Sequence, residues 1–417
     1  MEPIKAIVIG AGQRGNAYAA YAKSNPQDLQ FVGVAEPHDI RRSDFGEKYG
    51  VDKENCLHTW EEVFAREKWA DVVIICTPDR LHYEPCMAAI AQGYDVLLEK
   101  PISPNPQECV NIANAADEKA VKVVVCHVMR YSPFSVKIKE VIDSGEIGKV
   151  MSIVHNENVG NIHQSHSFVR GNWRNKEESA PMILAKSCHD MDFLQWLIGK
   201  KCKSLSSYGS LAYFNRENAP KGTPDRCIDG CTVDCPYDSR KLYLQSKNDW
   251  FRSVAVGHYN STDEEVEAAL KTGPYGRCVF KCDNNVVDHQ VVSMSFEDDI
   301  TVIFSMSAFT PETSRSIKIM GTKGQIKAHT SYKVAVVNNF VTGEEREVDT
   351  TAVGGHGGGD SGIMKALVDY LRGKDIPDIS EARISAENHM LAFAAEDSRL
   401  KDGAKAEFSA DRLSYKF

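Results

Sequence analysis

I-K-A-I-V-I-G-A-G-Q-R-G, running from Ile4 to Gly15, decides the fold. Its first half is a short apolar strand, and its second half fits G-x-G-x-x-G at Gly10, Gly12 and Gly15. The first glycine permits a tight turn, and the second lets backbone approach a pyrophosphate. The third lets the next helix pack on the strand with its N-terminus toward the phosphate. Glycine is common, so the pattern alone is weak; its context is what counts. It follows a strand signal, opens a helical stretch over 15–24, and is followed by a second strand, Phe31–Ala35, that ends at Glu36. An acid at that place hydrogen-bonds the adenosine ribose of a dinucleotide. Gly10, Gly12, Gln13, Arg14, Gly15 and Glu36 are therefore the expected cofactor contacts. Glu36 would repel a 2′-phosphate, which favours NAD; Arg41 and Arg42 keep NADP open.

Further strand signals follow at Val72–Cys76, Val96–Leu98 and Val121–Cys126, with helix-length segments near 39–49, 59–68, 83–92 and 105–119 between them. Continuous apolar strands are buried on both faces, as in a parallel sheet. Alternation of such strands with helices means βαβ units and a doubly wound fold. After about residue 130 the pattern changes. Val150–Asn156, Ser204–Ala212, Val286–Phe296 and Ile300–Ala308 read as longer, partly alternating strands, the last two joined by a tight turn at Asp298-Asp299. Helices are expected over 183–198, 361–373 and 380–400, and a tight or mobile loop at G-G-H-G-G-G, 354–359. The expected architecture is α/β: a doubly wound Rossmann domain over 1–130, then a substrate-binding α+β domain over 131–417 with a large, mostly antiparallel open sheet. A polar, Cys-rich stretch, 214–285, reads as an insertion or lid in the second domain.

The composition suits this picture. The chain has 417 residues, 42% hydrophobic and 26% charged, with 49 basic against 58 acidic side chains and a net charge of −9. No global basic field is available to attract nucleic acid or an anionic membrane surface. No apolar run reaches the ~18 residues of a transmembrane helix, and the N-terminus lacks the basic and apolar regions of a signal peptide. Twelve cysteines in this length do not make a disulfide scaffold, so a reducing cytoplasm is the expected location.

Two motifs lie at the carboxyl ends of parallel strands, the edge on which open α/β sheets bind ligands. They are T-P-D-R-L-H at 77–82 and E-K-P at 99–101. Thr77, Pro78, His82, Glu99 and Lys100 thus join the expected cofactor edge. With H-V-M-R-Y-S-P-F at 127–134, G-E-I-G-K-V at 145–150 and H-D-M-D-F-L at 189–194, these segments resemble the Gfo/Idh/MocA family of glucose–fructose oxidoreductases and inositol dehydrogenases. The likeness covers about residues 1–200. It implies a Rossmann domain joined to an open-sheet domain whose outer face makes homo-oligomers, dimers or tetramers. It also implies hydride transfer between a nicotinamide cofactor and a sugar or polyol carbon. Lys100 matches the family's E-K-P lysine and His189 its active-site histidine. Many sugar dehydrogenases of the family carry an aspartate four residues before that histidine; here the residue is Ala185, with Lys186 beside it.

Lys186, His189 and Asp190 would share one face of a continuous helix. His189 is the default base, since imidazole titrates near neutrality, and Lys100 or Lys186 would stabilise an alkoxide or act as base at lowered pKa. A Lys186–Asp190 ion pair of little energetic worth is the plain alternative for those two residues. The expected substrate-lining set is His127, Arg130, Tyr131, Asn156, His163, Arg170, Trp173, Asp190 and His356. Cys227, Cys231 and Cys235, spaced C-x3-C-x3-C, together with Cys282 of the Cys278/Cys282 pair suggest a structural zinc, with buried free thiols or a local disulfide as the alternatives. The functional expectation is an NAD-dependent dehydrogenase of a sugar, polyol or glycoside. A redox-neutral, NAD-dependent glycosidase is the alternative, and a sugar-sensing regulator is disfavoured by the retained Lys100 and His189.

Overall fold

Gly10 marks the point where the first sheet changes direction of winding. In the computed structural model, which describes residues 2–351 and 353–417, six parallel strands form one sheet. They are β1 (Ile4–Ile9), β2 (Leu29–Ala35), β3 (Cys56–Leu57), β4 (Val72–Ile75), β5 (Asp95–Leu98) and β6 (Val123–Val125), in the order 3-2-1-4-5-6. The order reverses between β1 and β4, so a crevice opens beyond their carboxyl ends, where a ligand binds in such folds. The strands are apolar throughout because both faces are covered. Ile7, Ile9, Val73 and Ile75 pack under the helices that carry Cys86, Ala89 and Ile112. Ala6, Val8, Val72 and Ile74 pack on the opposite side with Tyr18, Ile363, Met364 and Leu367. The helix Gly359–Leu371, late in the chain, thus completes the layer over the first sheet.

The second sheet has ten strands: β7 (Val150–Asn158), β8 (Cys202–Ser210), β9 (His289–Phe296), β10 (Thr301–Ser307), β11 (Ser314–Gly321), β12 (Gly324–His329), β13 (Val334–Asn339), β14 (Glu344–Asp349), β15 (Ala406–Phe408) and β16 (Tyr415–Lys416). Their order is 14-13-12-11-7-10-9-8-15-16, antiparallel except for the β7–β10 pair. The turn between β9 and β10 holds Asp298 and Asp299 at φ of 56° and 59°. One face of the sheet is covered by the helices Cys188–Ile198 and Ala382–Leu400; the other leaves Tyr208, Val291 and Ile303 exposed.

The helix expected over 183–198 is two helices, Met182–Ala185 and Cys188–Ile198, broken at Lys186-Ser187. Lys186 caps the first helix, its N–H still bonded to the Met182 carbonyl at 3.0 Å, and so shares no continuous helix with His189 and Asp190. The insertion is an ordered lobe rather than a loose loop. Phe214, Tyr237, Val279 and Phe280 form one small apolar core, and Leu242, Tyr243, Val266, Leu270 and Tyr275 another.

Candidate active site

The dinucleotide trough is built by backbone. Gly10 has φ +94°, and a Cβ there would lie 2.6 Å from the Cys76 carbonyl oxygen of β4's end. A Cβ on Gly15 would meet the Gly10 carbonyl at 2.3 Å, whereas one on Gly12 would point into open space. The helix Gln13–Ser24 starts without a side-chain cap, so its first N–H groups stay free to meet an anion. Glu36 is buried, and its carboxylate accepts the Ala11 N–H at 2.8 Å and the His38 N–H at 3.0 Å. A pyrophosphate over Gly12 and a ribose toward Glu36 fit this set of groups.

Arg14 and Glu99 serve each other rather than the trough. Arg14 Nε donates to Glu99 Oε1 at 2.6 Å, and its Nη2 donates to Tyr18 Oη at 2.6 Å and Asp360 Oδ1 at 2.8 Å. Burial alone would lower the arginine's pKa, but Glu99 and the other oxygens hold it above its ordinary value. The pair ties the glycine-rich turn to the E-K-P motif and to the helix Gly359–Leu371. His82 is also a tie, with Nδ1 2.7 Å from the Pro101 carbonyl and Nε2 2.8 Å from the Thr77 carbonyl. Thr77 Oγ1 donates to the Leu81 carbonyl at 2.9 Å, and Pro78 starts the short 3-10 turn Asp79–Leu81.

Beyond this edge, Lys100 meets the broken helix. Its Nζ donates to the Ala185 carbonyl at 2.9 Å. The break frees that carbonyl from helical bonding, so the lysine bonds to backbone at this position. Lys100 forms no ion pair with an acidic side chain among the described residues. His189, on the next helix, is buried with Nδ1 unpartnered. Burial, and then the nearby Lys100 charge, push its pKa well below the usual histidine range. It is therefore neutral at pH 7 and able to accept a proton.

Lys186 faces β7 and β11. Its Nζ lies 3.3 Å from Glu157 Oε1, and Arg315 Nη2 lies 2.6 Å from Glu157 Oε2. Arg315 Nε also donates to Asp190 Oδ1 at 2.7 Å, and His155 Nε2 lies 2.7 Å from the same oxygen. Burial lowers the Lys186 pKa although Glu157 opposes it; burial raises that of Asp190, but Arg315 prevails and holds it below the carboxylate range. Asp190 is thus an ion-pair partner of Arg315, and no Lys186–Asp190 pair forms. Glu157 and Arg315 were absent from the sequence expectations. The signal for Glu157 was its phase: Ile153, His155 and Glu157 alternate on the inward face of β7.

A row of histidines backs the cleft. The ring centres of His389 and His127 are 5.6 Å apart, those of His127 and His189 5.9 Å, and those of His189 and His356 6.3 Å. Burial, only partly offset by Asp192, pushes His127 down to about 4. His356, in the glycine-rich loop at φ +48°, is half-exposed and bonds Asp360 at 3.0 Å through Nδ1. His163 meets Trp250 of the insertion edge to face, ring centres 5.6 Å apart.

Several expected site residues lie elsewhere. Asn156 points to the outer face of the sheet, where its Nδ2 donates to Ser316 Oγ at 2.9 Å, because neighbours on a strand face opposite ways. Arg170 is fully buried and donates to the carbonyls of Arg277 and Tyr237, anchoring the insertion. Arg130 is buried against Asp192, and Tyr131 Oη bonds Ser380. Trp173 Nε1 donates to Asp79 Oδ2 at 3.2 Å, joining the T-P-D-R-L-H segment to the second domain. The zinc expectation gains no support. Among the described residues no group of three or more His, Cys, Asp or Glu side chains is placed to hold a metal. Cys235, Cys278 and Cys282 pack in the insertion's apolar core, and burial raises their pKa, so they are protonated thiols.

A doubly wound dinucleotide trough facing a lysine–histidine cleft on an open sheet defines a two-domain oxidoreductase. The chain belongs to the GFO_IDH_MocA oxidoreductase family: its NAD-binding Rossmann model matches residues 4–127 and its C-terminal alpha/beta model residues 139–388. The oxidoreductase YteT of Bacillus subtilis is 27% identical, over 75% of this chain and 76% of its own length. The 2,7-anhydro-N-acetylneuraminate hydratase of Mediterraneibacter gnavus is 28% identical, over 50% of this chain and 53% of that enzyme. The chain thus spans only about half of the hydratase. A solved levoglucosan dehydrogenase, in complex with NADH and L-sorbose, shares the fold at a TM-score of 0.71 and 18% identity, over 98% of this chain and 99% of that one. No helix among the described residues is long and apolar enough to cross a membrane.

Proposed function

We propose that the protein is an NAD-dependent oxidoreductase acting on a secondary hydroxyl of a sugar, polyol or glycoside. The observation that carries this reading is the Lys100–Ala185 contact, which brings the E-K-P lysine to the break just ahead of the helix bearing His189, beside the trough. When bound, a nicotinamide supplies the hydride acceptor. The chain's part is proton handling and charge. Neutral His189 takes the hydroxyl proton at a ring nitrogen, and Lys100 holds the developing alkoxide. Lys186, kept in place by Glu157, lines the same cleft. His356 offers His189 a route to solvent.

NAD rather than NADP is supported by Glu36 and by the state of the two nearby arginines. Arg41 donates to the Gly257 carbonyl, and Arg42 to the Glu36 carbonyl and to Asp39, so neither guanidinium stands free for a 2′-phosphate. Side-by-side titrations should show NAD binding at least tenfold tighter than NADP. Tighter NADP would defeat the assignment.

A second reading has its own support: one relative is by name a hydratase, which adds water with no net redox change. Transient oxidation of a sugar hydroxyl acidifies the adjacent C–H. Loss of the aglycone, hydration and re-reduction would then give net hydrolysis. One experiment separates the two. The purified protein is given NAD and a panel of sugars, polyols and aryl glycosides, while NADH absorbance and aglycone release are followed together. NADH rising in step with product is the expected result. Aglycone release without NADH makes the protein a redox-neutral glycosidase, and neither signal across the panel removes the carbohydrate assignment. The exposed apolar residues Tyr208, Val291 and Ile303 support a homo-oligomer formed through the outer sheet face.

A further inference from the structure

The insertion reaches across the molecule to the cofactor trough. Its helix Asp249–Val256 touches the first domain at both ends. Near one end the Trp250 indole N–H donates to Gln13 Oε1, in the glycine-rich turn, at 3.0 Å. At the other end the carbonyl of Gly257 accepts Arg41 Nε at 3.3 Å and Nη2 at 3.2 Å. Arg41 belongs to the helix Asp39–Tyr49, which begins three residues after Glu36. The two contacts therefore fall on the pyrophosphate end and the adenosine end of the trough. Seven residues of helix span about 10 Å, comparable with the distance from a diphosphate to its ribose.

This bridging helix is held firmly from behind. Phe251, Val254, Ala255 and Val256 pack on the small core around Tyr243 and Leu270. Arg252 donates to Asp263 Oδ1 at 2.8 Å and to the Ser261 carbonyl at 2.7 Å. Trp250 lies against His166 at 4.9 Å and His163 at 5.6 Å, while 37% of its surface stays exposed. Gly257, at φ +108°, ends the helix in a backbone conformation that aims its carbonyl at Arg41.

We propose that the helix Asp249–Val256 is a latch over the dinucleotide trough, with Trp250 and Gly257 as its two clasps, and that its opening sets the rate at which the cofactor leaves. A bound dinucleotide leaves only after the Trp250–Gln13 and Gly257–Arg41 contacts part. Release is thereby slower than from an open trough, whichever of the two reactions above the site carries out. This rests on the NAD reading above.

The test is a chase. Full-length protein is loaded with NADH, excess ADP-ribose is added, and the fall in NADH fluorescence anisotropy gives the release rate. Trp250→Ala and Arg41→Ala should each release NADH at least tenfold faster than the parent, and Trp250→Phe, which keeps a ring but loses the donor, severalfold faster. The Trp250–Gln13 contact is exposed and the Arg41–Gly257 contact only half-buried, so melting temperatures should change little while release quickens. Release within twofold of the parent in both alanine variants overturns the latch while leaving the NAD reading intact. Failure of the parent to bind NADH overturns both.

Discussion

Lys100→Met is expected to lower kcat about a thousandfold, with the affinity for NAD changing no more than a few-fold. The magnitude follows from the loss of a positioned cation at a developing alkoxide, together with its influence on the neighbouring base. Three observations place that cation in the cleft. It stands at the carboxyl end of β5, its backbone N–H is fixed by Glu99 Oε2 at 2.8 Å, and its Nζ is aimed by the Ala185 carbonyl. Methionine keeps the length and the apolar stem and removes only the charge. Steady-state kinetics on the substrate found by the panel, with NAD binding measured separately, read the two effects apart. A loss of less than tenfold in kcat would remove Lys100 from the chemistry. Removing the Lys100 charge also removes one of the influences that hold His189 below its ordinary pKa. The acid limb of the rate profile should therefore move to higher pH in the variant.

The largest effect on stability is expected at Asp192. Its carboxylate is fully buried and receives Arg130 Nε at 2.7 Å, Arg130 Nη2 at 2.5 Å and Asn388 Nδ2 at 2.6 Å. Asp192→Ala leaves the guanidinium in the core with only the Asp378 carbonyl, a loss of about 3–5 kcal/mol. Denaturant titration should show a clearly lower midpoint. The double variant Arg130→Met, Asp192→Leu should recover more than half of that loss, because a buried pair replaced by apolar groups costs little while an orphaned charge costs much. Equal losses in the single and double variants would mean that packing rather than charge is at stake. The pH dependence has a definite sign. Burial raises the Asp192 pKa, but Arg130 outweighs it and the net shift is downward from 3.8. The contribution is therefore full above pH 3.8 and fades as the pH falls below that value toward the folded-state pKa.

Much of the first sheet is legible in the sequence because its strands are buried on both faces and read as unbroken apolar runs. Ile4–Ile9 is found at the expected bounds, and the strands near 72, 96 and 123 within about two residues. The two-residue strand Cys56–Leu57 has too little sequence to leave a signal. In the second domain the strand-rich character is legible, but the facing of individual residues is not. Asn156 was expected in the cleft where its neighbours His155 and Glu157 stand, a parity error that only the register of β7 between β10 and β11 resolves. Arg130 and Arg170 show a different limit. A buried arginine that ties carbonyls or a carboxylate carries the same letter as one that reaches for substrate. Arg315, on β11, joins the site only because its strand pairs Arg315 with Glu157, more than 150 positions away in the chain. The break at Lys186 is equally silent, for Met182 to Ile198 contains neither proline nor glycine.

The last strand at one border of the open sheet, β14, reads E-E-R-E-V-D, four acids against one arginine. An unpaired strand is a template on which further chains can stack without limit. Two copies meeting border to border here would set rows of carboxylates against one another, and like charges directly opposite each other on paired strands are destabilising. Filament growth along that border is therefore disfavoured at neutral pH. Acidification, by discharging those carboxylates, is the condition under which this molecule would be most prone to fibrous precipitation.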